Sequence, residues 1–113
     1  LKAEEVINML EILLDEKPEW LAFDYETTGL KPYSTGHKIA CISACDSEDY
    51  AFSFPFEHDK HEWNKSEYQK IKDLWCSILI DSDIKKTSHN LKFETIWSRK
   101  ILSIDPVSLD WCS

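Results

Sequence analysis

The sequence predicts an α/β domain in which helices pack on the faces of one mixed sheet. Three observations predict this class. The chain opens with apolar residues at helical spacing, three alternating segments then follow with short links, and the second half alternates helical and strand patterns. Consecutive strands with short links predict an antiparallel three-strand meander, and strands separated by helices predict parallel neighbours.

The first half of the chain contains one predicted helix and three predicted strands. Apolar residues recur with helical period over residues 3–16, and a proline ends this helix. The segments WLAFDYE (residues 20–26), KIACISAC (residues 38–45) and YAFSFPF (residues 50–56) have the composition and alternation of strands. The DSED sequence between the last two suits a tight hairpin.

The second half contains two predicted helices and two predicted strands. The sequence SEYQ matches a capping box, with Ser66 as the N-cap of a helix that runs to about residue 80. KKTSH (residues 85–89) predicts a short strand, and Asn90 caps a further helix. PVSLDW (residues 106–111) predicts a fifth strand at the end of the chain.

Length and composition indicate a single globular domain. The chain has 113 residues, 42% of them apolar, with five Trp and only two Gly, which is unlike a disordered segment. No apolar run approaches the roughly 20 residues that cross a bilayer, and no signal-peptide pattern opens the chain. We therefore expect no membrane partner and a cytoplasmic location. The start at Leu1 rather than Met suggests a segment cut from a longer polypeptide.

The cysteines form no pattern typical of a metal site or a disulfide framework. Cys41, Cys45, Cys76 and Cys112 contain no CxxC pair and have no His at zinc spacing. We expect free, buried thiols at Cys41 and Cys45, in a reducing compartment.

Net charge restricts the ways in which this chain could contact nucleic acid. The formal charge of −8 argues against a broad, sequence-independent grip on duplex DNA. Any nucleic-acid site would be local, with divalent cations screening the acids. Basic residues gather between residues 85 and 100, where they form either a solvated helix face or a patch that faces phosphate. The members of this cluster are Lys85, Lys86, Lys92, Arg99 and Lys100.

Two acids near the end of the first predicted strand form the first candidate site. Asp24 and Glu26 have the same strand parity, so their carboxylates project from one face, and Gly29 breaks the strand just beyond them. Two close carboxylates repel each other when ionised, and a hard divalent cation such as Mg²⁺ or Mn²⁺ removes that repulsion. The alternative is a pair of exposed acids that bind nothing.

The segment SHNLKFETIW forms the second candidate site. His89 and Asn90 close a short strand, and Glu94 lies in the first turns of the following helix. A helix N-terminus presents free N–H groups and a partial positive charge, which favour phosphate, and an acid there can serve a metal. The alternative is a capping Asn with a Glu that complements the helix dipole.

DYETTGL followed by HNLKFE resembles the first and second motifs of the DEDD-type 3′–5′ exonucleases. The pair is most similar to the proofreading domain of phage-type family A DNA polymerases. The resemblance covers roughly residues 20–113. It implies a ribonuclease H-like mixed sheet flanked by helices and truncated at its C-terminus, in a phage-encoded or bacterial protein.

The resemblance also implies roles for individual residues. It implies two divalent cations, Mg²⁺ or Mn²⁺, and Glu94 stands where the second motif usually has Asp. The implied catalytic and metal-binding residues are Asp24, Glu26 and Glu94. The implied contacts with the 3′ end of the substrate are Thr27, Leu30, Asn90 and Phe93. For Phe93, packing in the core is the alternative.

The implied reaction is two-metal hydrolysis of the 3′-terminal phosphodiester of single-stranded DNA, for a polymerase module in the same parent chain. The family's third motif, Tyr-x₃-Asp or His-x₄-Asp, is absent from this sequence. We therefore expect little or no nuclease activity from this segment alone. The alternative function is a non-catalytic, exonuclease-like module that binds single-stranded DNA or braces a partner domain.

Overall fold

The computed structural model describes residues 2–29, 36–47, 50–57 and 63–110. Within these residues, helices and strands follow one another in the predicted order. In chain order the elements are α1 (Ala3–Glu16), β1 (Trp20–Thr27), β2 (Ile39–Ser47), β3 (Tyr50–Pro55), α2 (Lys65–Leu79), β4 (Lys85–Thr87) and α3 (Leu91–Trp97), and a π-helical turn (Ser98–Leu102) continues α3.

The four strands form one mixed sheet in the order β3-β2-β1-β4. β1 pairs antiparallel with β2, which in turn pairs antiparallel with β3, so the predicted meander is confirmed. β4 lies on the other side of β1 and runs parallel to it, with Ala22 opposite Thr87. The predicted α/β class with a mixed sheet is therefore confirmed.

One face of the sheet carries the hydrophobic core. Alternate residues of β1, including Phe23 and Tyr25, are buried against the helices, as the period of two predicts. The ring of Trp75 from α2 packs edge-on against Phe23, with the ring centroids 5.5 Å apart. The Tyr25 hydroxyl accepts a hydrogen bond from Trp75 Nε1 (3.1 Å) and lies 2.6 Å from the Ser98 hydroxyl. This buried network holds α2 and the end of α3 on the same face.

The opposite face of the sheet, here called the open face, is largely exposed in the described part of the chain. It carries Asp24 together with small side chains of the two neighbouring strands, such as Ser43 and Ser53. Cys41 and Cys45 also lie on this face and are half-buried. The expectation that these two thiols are buried is therefore wrong, because their strand parity directs them away from the core. Among the described residues no disulfide joins Cys41, Cys45 and Cys76.

The N-cap of α2 differs from the prediction. Asn64, not Ser66, caps this helix: Asn64 Oδ1 accepts from the Glu67 N–H at 2.8 Å, and Glu67 Oε1 accepts from the Asn64 N–H at 3.0 Å. Both segments have the spacing of a capping box. An ionised Glu is a stronger acceptor than the Gln amide of the predicted box, and its charge complements the helix dipole.

The predicted fifth strand is reduced to a single bridge. Leu109 pairs parallel with Lys86, and no longer strand forms in the described part of residues 106–111. Pro106 has no N–H to contribute to a ladder, and Ser108 adopts a left-handed backbone conformation (φ 55°) that interrupts extended structure.

The basic cluster of the sequence does not form one surface. Lys86 is fully buried in β4, and its amine donates to the Asp81 carbonyl oxygen at 2.6 Å. Arg99 forms an ion pair with Asp105 (2.6 Å), whereas Lys85 and Lys92 are exposed. Within the described residues, no helix is both long and apolar enough to cross a bilayer.

Candidate active site

The candidate site lies where β1, β4 and α3 meet. Asp24 projects from the open face of β1 and is exposed. Because β4 runs parallel to β1 with Thr87 opposite Ala22, the chain leaving β4 passes Asp24 at Ser88. Asn90 then caps α3, and the first turn of this helix brings the Glu94 side chain back to the same place.

Ser88 links the two acids. Its hydroxyl lies 3.0 Å from Glu94 Oε1 and 3.4 Å from Asp24 Oδ1. A hydroxyl carries one proton, so the shorter contact, to Glu94, is the stronger hydrogen bond. The Asn90 N–H donates to the same hydroxyl oxygen at 3.3 Å. The structure therefore brings Asp24 and Glu94 together around one serine.

Glu94 is a buried acid with an incomplete set of partners. Its side chain is 2% exposed, and its Oε2 atom has no hydrogen-bond partner among the described residues. Burial raises the pKa of Glu94 to about 7; the Ser88 hydrogen bond and, more weakly, the backbone of Tyr25 oppose this rise, and the neighbouring Asp24 adds to it. An unpaired carboxylate oxygen beside a second carboxylate is suited to a divalent cation, which would neutralise both groups. The donor set consists of oxygens, which suits Mg²⁺ or Mn²⁺.

Glu26 lies apart from this pair. It is exposed on the same face, two residues beyond Asp24 and opposite Cys41 in β2. Burial, and then the Glu26 charge, raise the pKa of the Cys41 thiol. Among the described residues, no group of three His, Cys, Asp or Glu side chains is arranged to hold a metal ion. The structure thus assembles two of the three predicted metal ligands.

The predicted substrate-contact residues surround the acids at different depths. Thr27 ends β1, and its hydroxyl donates to the Gly29 carbonyl oxygen at 2.6 Å. Asn90 is exposed and accepts from the Phe93 N–H at 3.4 Å, which confirms its predicted capping role. Phe93 is half-buried, and its ring centroid lies 5.8 Å from that of Trp97. Leu30 lies outside the described residues.

The turn after β1 brings the His37 side chain close to Gly29. A Cβ added at this position would overlap the imidazole ring of His37. A side chain at this position would therefore require the His37 ring to shift.

A groove of about 830 Å³ runs from Asp24 across the open face. Its floor consists mostly of small side chains from the central strands, and polar groups stand at the end near α3. The lining includes Ala22, Asp24, Ser43, Ser53, Ser88 and His89. The groove leaves the Asp24–Glu94 pair open on the Asp24 side and closed by protein on the Glu94 side.

Ser88 is the site residue that the sequence analysis did not identify. It immediately precedes the His89–Asn90 pair, but serine at a strand end has many ordinary roles. The parallel register of β4 beside β1 is the signal that places it next to Asp24. That register is not visible in the alternation of either strand.

Solved nuclease structures share this fold. NrnC from Brucella melitensis with bound Mg²⁺ is 17% identical, with a TM-score of 0.62 over 86% of this chain and 43% of that one. The same protein bound to pGG is 17% identical, with a TM-score of 0.61 over 86% and 42%. A structure titled "apo form of the nuclease" is 14% identical, with a TM-score of 0.61 over 96% and 44%. At these identities the similarity shows the fold alone, which confirms the predicted ribonuclease H-like class.

This chain spans less than half the length of each of these solved structures. A search of curated proteins finds no match. A family model described as 3′-5′ exonuclease, by contrast, matches residues 2–110, which is nearly the whole chain. The chain therefore belongs to the 3′-5′ exonuclease family.

Proposed function

We propose that this chain forms the metal-binding part of an enzyme that removes nucleotides from the 3′ end of single-stranded DNA. The observation that carries this proposal is Glu94 Oε2, a buried carboxylate oxygen without a partner beside a second carboxylate, Asp24. Two neighbouring acids oppose each other's ionisation, so ionising both in the absence of a cation is unfavourable. A divalent cation would neutralise both carboxylates and so stabilise the arrangement.

Asp24, exposed to the groove, and Glu94, buried, would hold the cation. When bound, two divalent ions would activate the attacking water and stabilise the leaving 3′ oxygen. Glu26 would complete the set, since its Cα lies about 7 Å from that of Asp24 on the same strand face. Its side chain is exposed, so it can turn toward Asp24 without leaving a packed position.

The protein groups around the acids would orient the substrate. Thr27 ends β1, Asn90 caps α3 and Phe93 lies in the first turn of that helix, so these three residues would contact the terminal nucleotide near Asp24. Leu30 is added to them from the motif resemblance alone. Phosphodiester hydrolysis depends on positioning and charge stabilisation more than on covalent chemistry. A single-stranded end would lie over apolar and aromatic side chains, which do not distinguish one base from another.

The wider context is proposed from the motifs and from similar structures. Solved NrnC structures hold Mg²⁺ in one case and pGG in another, which supports a divalent cation and a nucleic-acid ligand here. The motif resemblance supports proofreading for a polymerase module in the same parent chain, of phage-type origin and cytoplasmic location. Single-stranded DNA is the substrate that this context favours.

Metal binding is the first test, because it does not require a complete active site. We expect Mn²⁺ to raise the melting temperature of the wild-type chain, since a ligand at 100 times its Kd adds about 2.7 kcal/mol to the unfolding free energy. Asp24→Asn should abolish this increase. Asp15→Asn, which removes one negative charge from the exposed face of α1, is the matched control and should keep it. Equal responses in the two variants, or no response in the wild type, would overturn the proposal.

Nuclease activity is the second test. With a 3′-labelled single-stranded oligonucleotide and Mn²⁺, we expect at most slow digestion, because among the described residues only two acids are assembled. Any activity should proceed from the 3′ end, release mononucleotides and disappear in Asp24→Asn. Internal cleavage, or activity that survives Asp24→Asn, would point to another site.

The open face favours a second candidate function, that of a non-catalytic module. Trp20 is 39% exposed on this face, beside a groove floored by small residues that another domain could cover closely. Such a module would bind single-stranded DNA or brace a partner domain without using metal. Oligonucleotide binding that is unaffected by EDTA and by Asp24→Asn would favour this function over the enzyme.

A further inference from the structure

We propose that Ser88 is a positioning residue whose hydroxyl holds the Glu94 carboxylate against Asp24 and so sets the affinity of the site for a divalent cation. This inference rests on the proposed function and adds a residue to its machinery. Ser88 follows β4 directly and is 7% exposed. Its hydroxyl therefore forms hydrogen bonds with protein groups and has little access to water.

The hydrogen bonds around Ser88 have a direction. The Asn90 N–H donates to the Ser88 oxygen at 3.3 Å, which occupies one lone pair. The hydroxyl proton is then left for a carboxylate, and Glu94 Oε1 at 3.0 Å is the nearer acceptor. Asp24 Oδ1, at 3.4 Å, is on the same hydroxyl at a longer distance. A backbone group of the α3 cap thus orients the serine, and the serine orients Glu94.

This restraint has a specific consequence for Glu94. The hydrogen bond engages Oε1 and leaves Oε2 without a partner among the described residues. A Glu side chain has three rotatable bonds, and its carboxylate is repelled by ionised Asp24. Without the Ser88 hydroxyl, the repulsion between the two carboxylates is no longer offset at Oε1, and a cation would have to supply more of the energy that keeps them together.

The hydrogen bond from Ser88 matters more for a glutamate than for an aspartate at this position. Glu94 stands where the related motif usually has Asp, and its extra methylene adds both reach and freedom. A buried hydroxyl at the neighbouring strand end removes that freedom. Partners of metal-binding groups commonly change metal affinity by 10- to 100-fold when they are removed.

The test is the affinity of the whole chain for Mn²⁺ alone, measured from the loss of the free-ion signal in electron paramagnetic resonance. We expect Ser88→Ala to weaken Mn²⁺ binding by about 10- to 100-fold. Ser98→Ala is the matched control, because it removes another buried serine hydroxyl, bonded at 2.6 Å to the Tyr25 hydroxyl on the core side of the sheet. Ser98→Ala should lower the melting temperature and leave Mn²⁺ affinity unchanged.

A double-mutant cycle identifies the group through which Ser88 acts. In a Glu94→Gln background, we expect Ser88→Ala to cause no further loss of Mn²⁺ affinity, since the restrained carboxylate is already gone. Additive losses would overturn the inference, because they would mean that Ser88 contacts the ion or another ligand independently.

The remaining outcomes separate the inference from the proposed function. Wild-type protein that binds Mn²⁺, together with Ser88→Ala of equal affinity, overturns the role of Ser88 and leaves the metal site standing. Wild-type protein that does not bind Mn²⁺ overturns the proposed function and the role of Ser88 with it. A loss of affinity in Ser98→Ala equal to that in Ser88→Ala also overturns the inference, because general destabilisation would then explain both.

Discussion

Glu94 shows how burial and a neighbouring acid act together on one carboxyl group. Its side chain is 2% exposed, and its pKa is raised to about 7, first by burial and further by Asp24, against the Ser88 hydrogen bond. The ordinary pKa of Glu is 4.5. The folded chain therefore holds a proton that the unfolded chain has lost between these two values. Stability is highest below the lower value and falls as the pH rises through the window.

The first prediction concerns this window. Glu94→Gln keeps the shape of the side chain but cannot ionise, so in EDTA at pH 8 we expect its free energy of unfolding to exceed that of the wild type by on the order of 1–3 kcal/mol. At pH 5 the two proteins should differ much less. Urea unfolding at several pH values measures this, with Glu26→Gln, at an exposed position of β1, as control. Parallel pH profiles for wild type and Glu94→Gln would contradict the prediction.

Lys86 is a second buried ionisable group, a base rather than an acid. It is fully buried, and burial lowers its pKa from 10.5 to about 8, against an opposing effect of Asp81. Here the unfolded chain binds the proton more tightly than the folded one. Stability therefore rises as the pH increases from about 8 to 10.5, and it stays reduced at every pH below this range.

The second prediction is that Lys86→Met stabilises the protein at pH 7. Methionine fills a similar volume without a charge, so we expect a gain on the order of 1–3 kcal/mol in the free energy of unfolding. The Asp81 carbonyl oxygen keeps the Ile84 N–H as a partner at 3.3 Å. Denaturant unfolding at pH 7 and pH 10 measures the gain, which should shrink at the higher pH. Lys85→Met, at an exposed neighbouring position, should change little, and a loss of stability in Lys86→Met would show that the amine is required.

The two predicted motifs located the acids, but the sequence could not identify their shared partner. Strand parity and the position of a helix start are local properties, because each is determined by a few consecutive residues. The contact between Ser88 and Asp24 joins residues 64 apart, and it depends on the register of two parallel strands. For the same reason Lys86 could be assigned to a strand but not to the buried side of it.

At the scale of single elements, α2 contains two competing signals for its first residue. Asn64 and Ser66 both begin a capping-box sequence, and the structure uses Asn64 with Glu67. The third prediction is that Asn64→Ala lowers the free energy of unfolding by about 1 kcal/mol, since the Glu67 N–H loses the Asn64 Oδ1 acceptor. Ser66→Ala, inside the first turn and exposed, should have an effect near zero.

Thermal and urea unfolding of the two alanine variants measures this difference directly. A larger loss in Ser66→Ala than in Asn64→Ala would mean that α2 begins at the later box in solution. The control is internal, because both substitutions lie in the same turn of the same helix and remove one polar side chain each.

Elements with a strong period were predicted well, whereas elements that depend on their neighbours were not. The faces of β1 follow from alternation alone, and the structure buries Leu21, Phe23 and Tyr25 as expected. The apolar pattern of residues 106–111 also resembles a strand. Its proline and the left-handed Ser108 leave only the Leu109 bridge to β4, because a strand at a sheet edge needs consecutive N–H groups to pair.

At the scale of the whole molecule, one sheet separates two environments. The helices and the aromatic network of Tyr25 and Trp75 occupy one side, and the open face with Asp24 occupies the other. The chain carries a net charge of −8, and its basic residues are dispersed: Lys86 is buried and Arg99 is paired with Asp105. Phosphate groups are therefore repelled by the molecule as a whole and can be held only where that charge is locally reversed.

The last prediction follows from this balance of charge. A short single-stranded oligonucleotide should bind in Mn²⁺ and lose most of its affinity in EDTA, because the cations at Asp24 and Glu94 supply the local positive charge. At constant Mn²⁺, the plot of log affinity against log NaCl concentration should be shallow, with a slope of roughly −1 to −2, since each neutralised phosphate of a single strand contributes about −0.7. Fluorescence anisotropy measures both effects. A blunt duplex should compete more weakly than the single strand. The Asp24→Asn variant in Mn²⁺ should bind as weakly as the wild type does in EDTA. Tight binding in EDTA with a steep salt dependence would contradict the prediction, because it requires a continuous cationic surface in place of a local metal site.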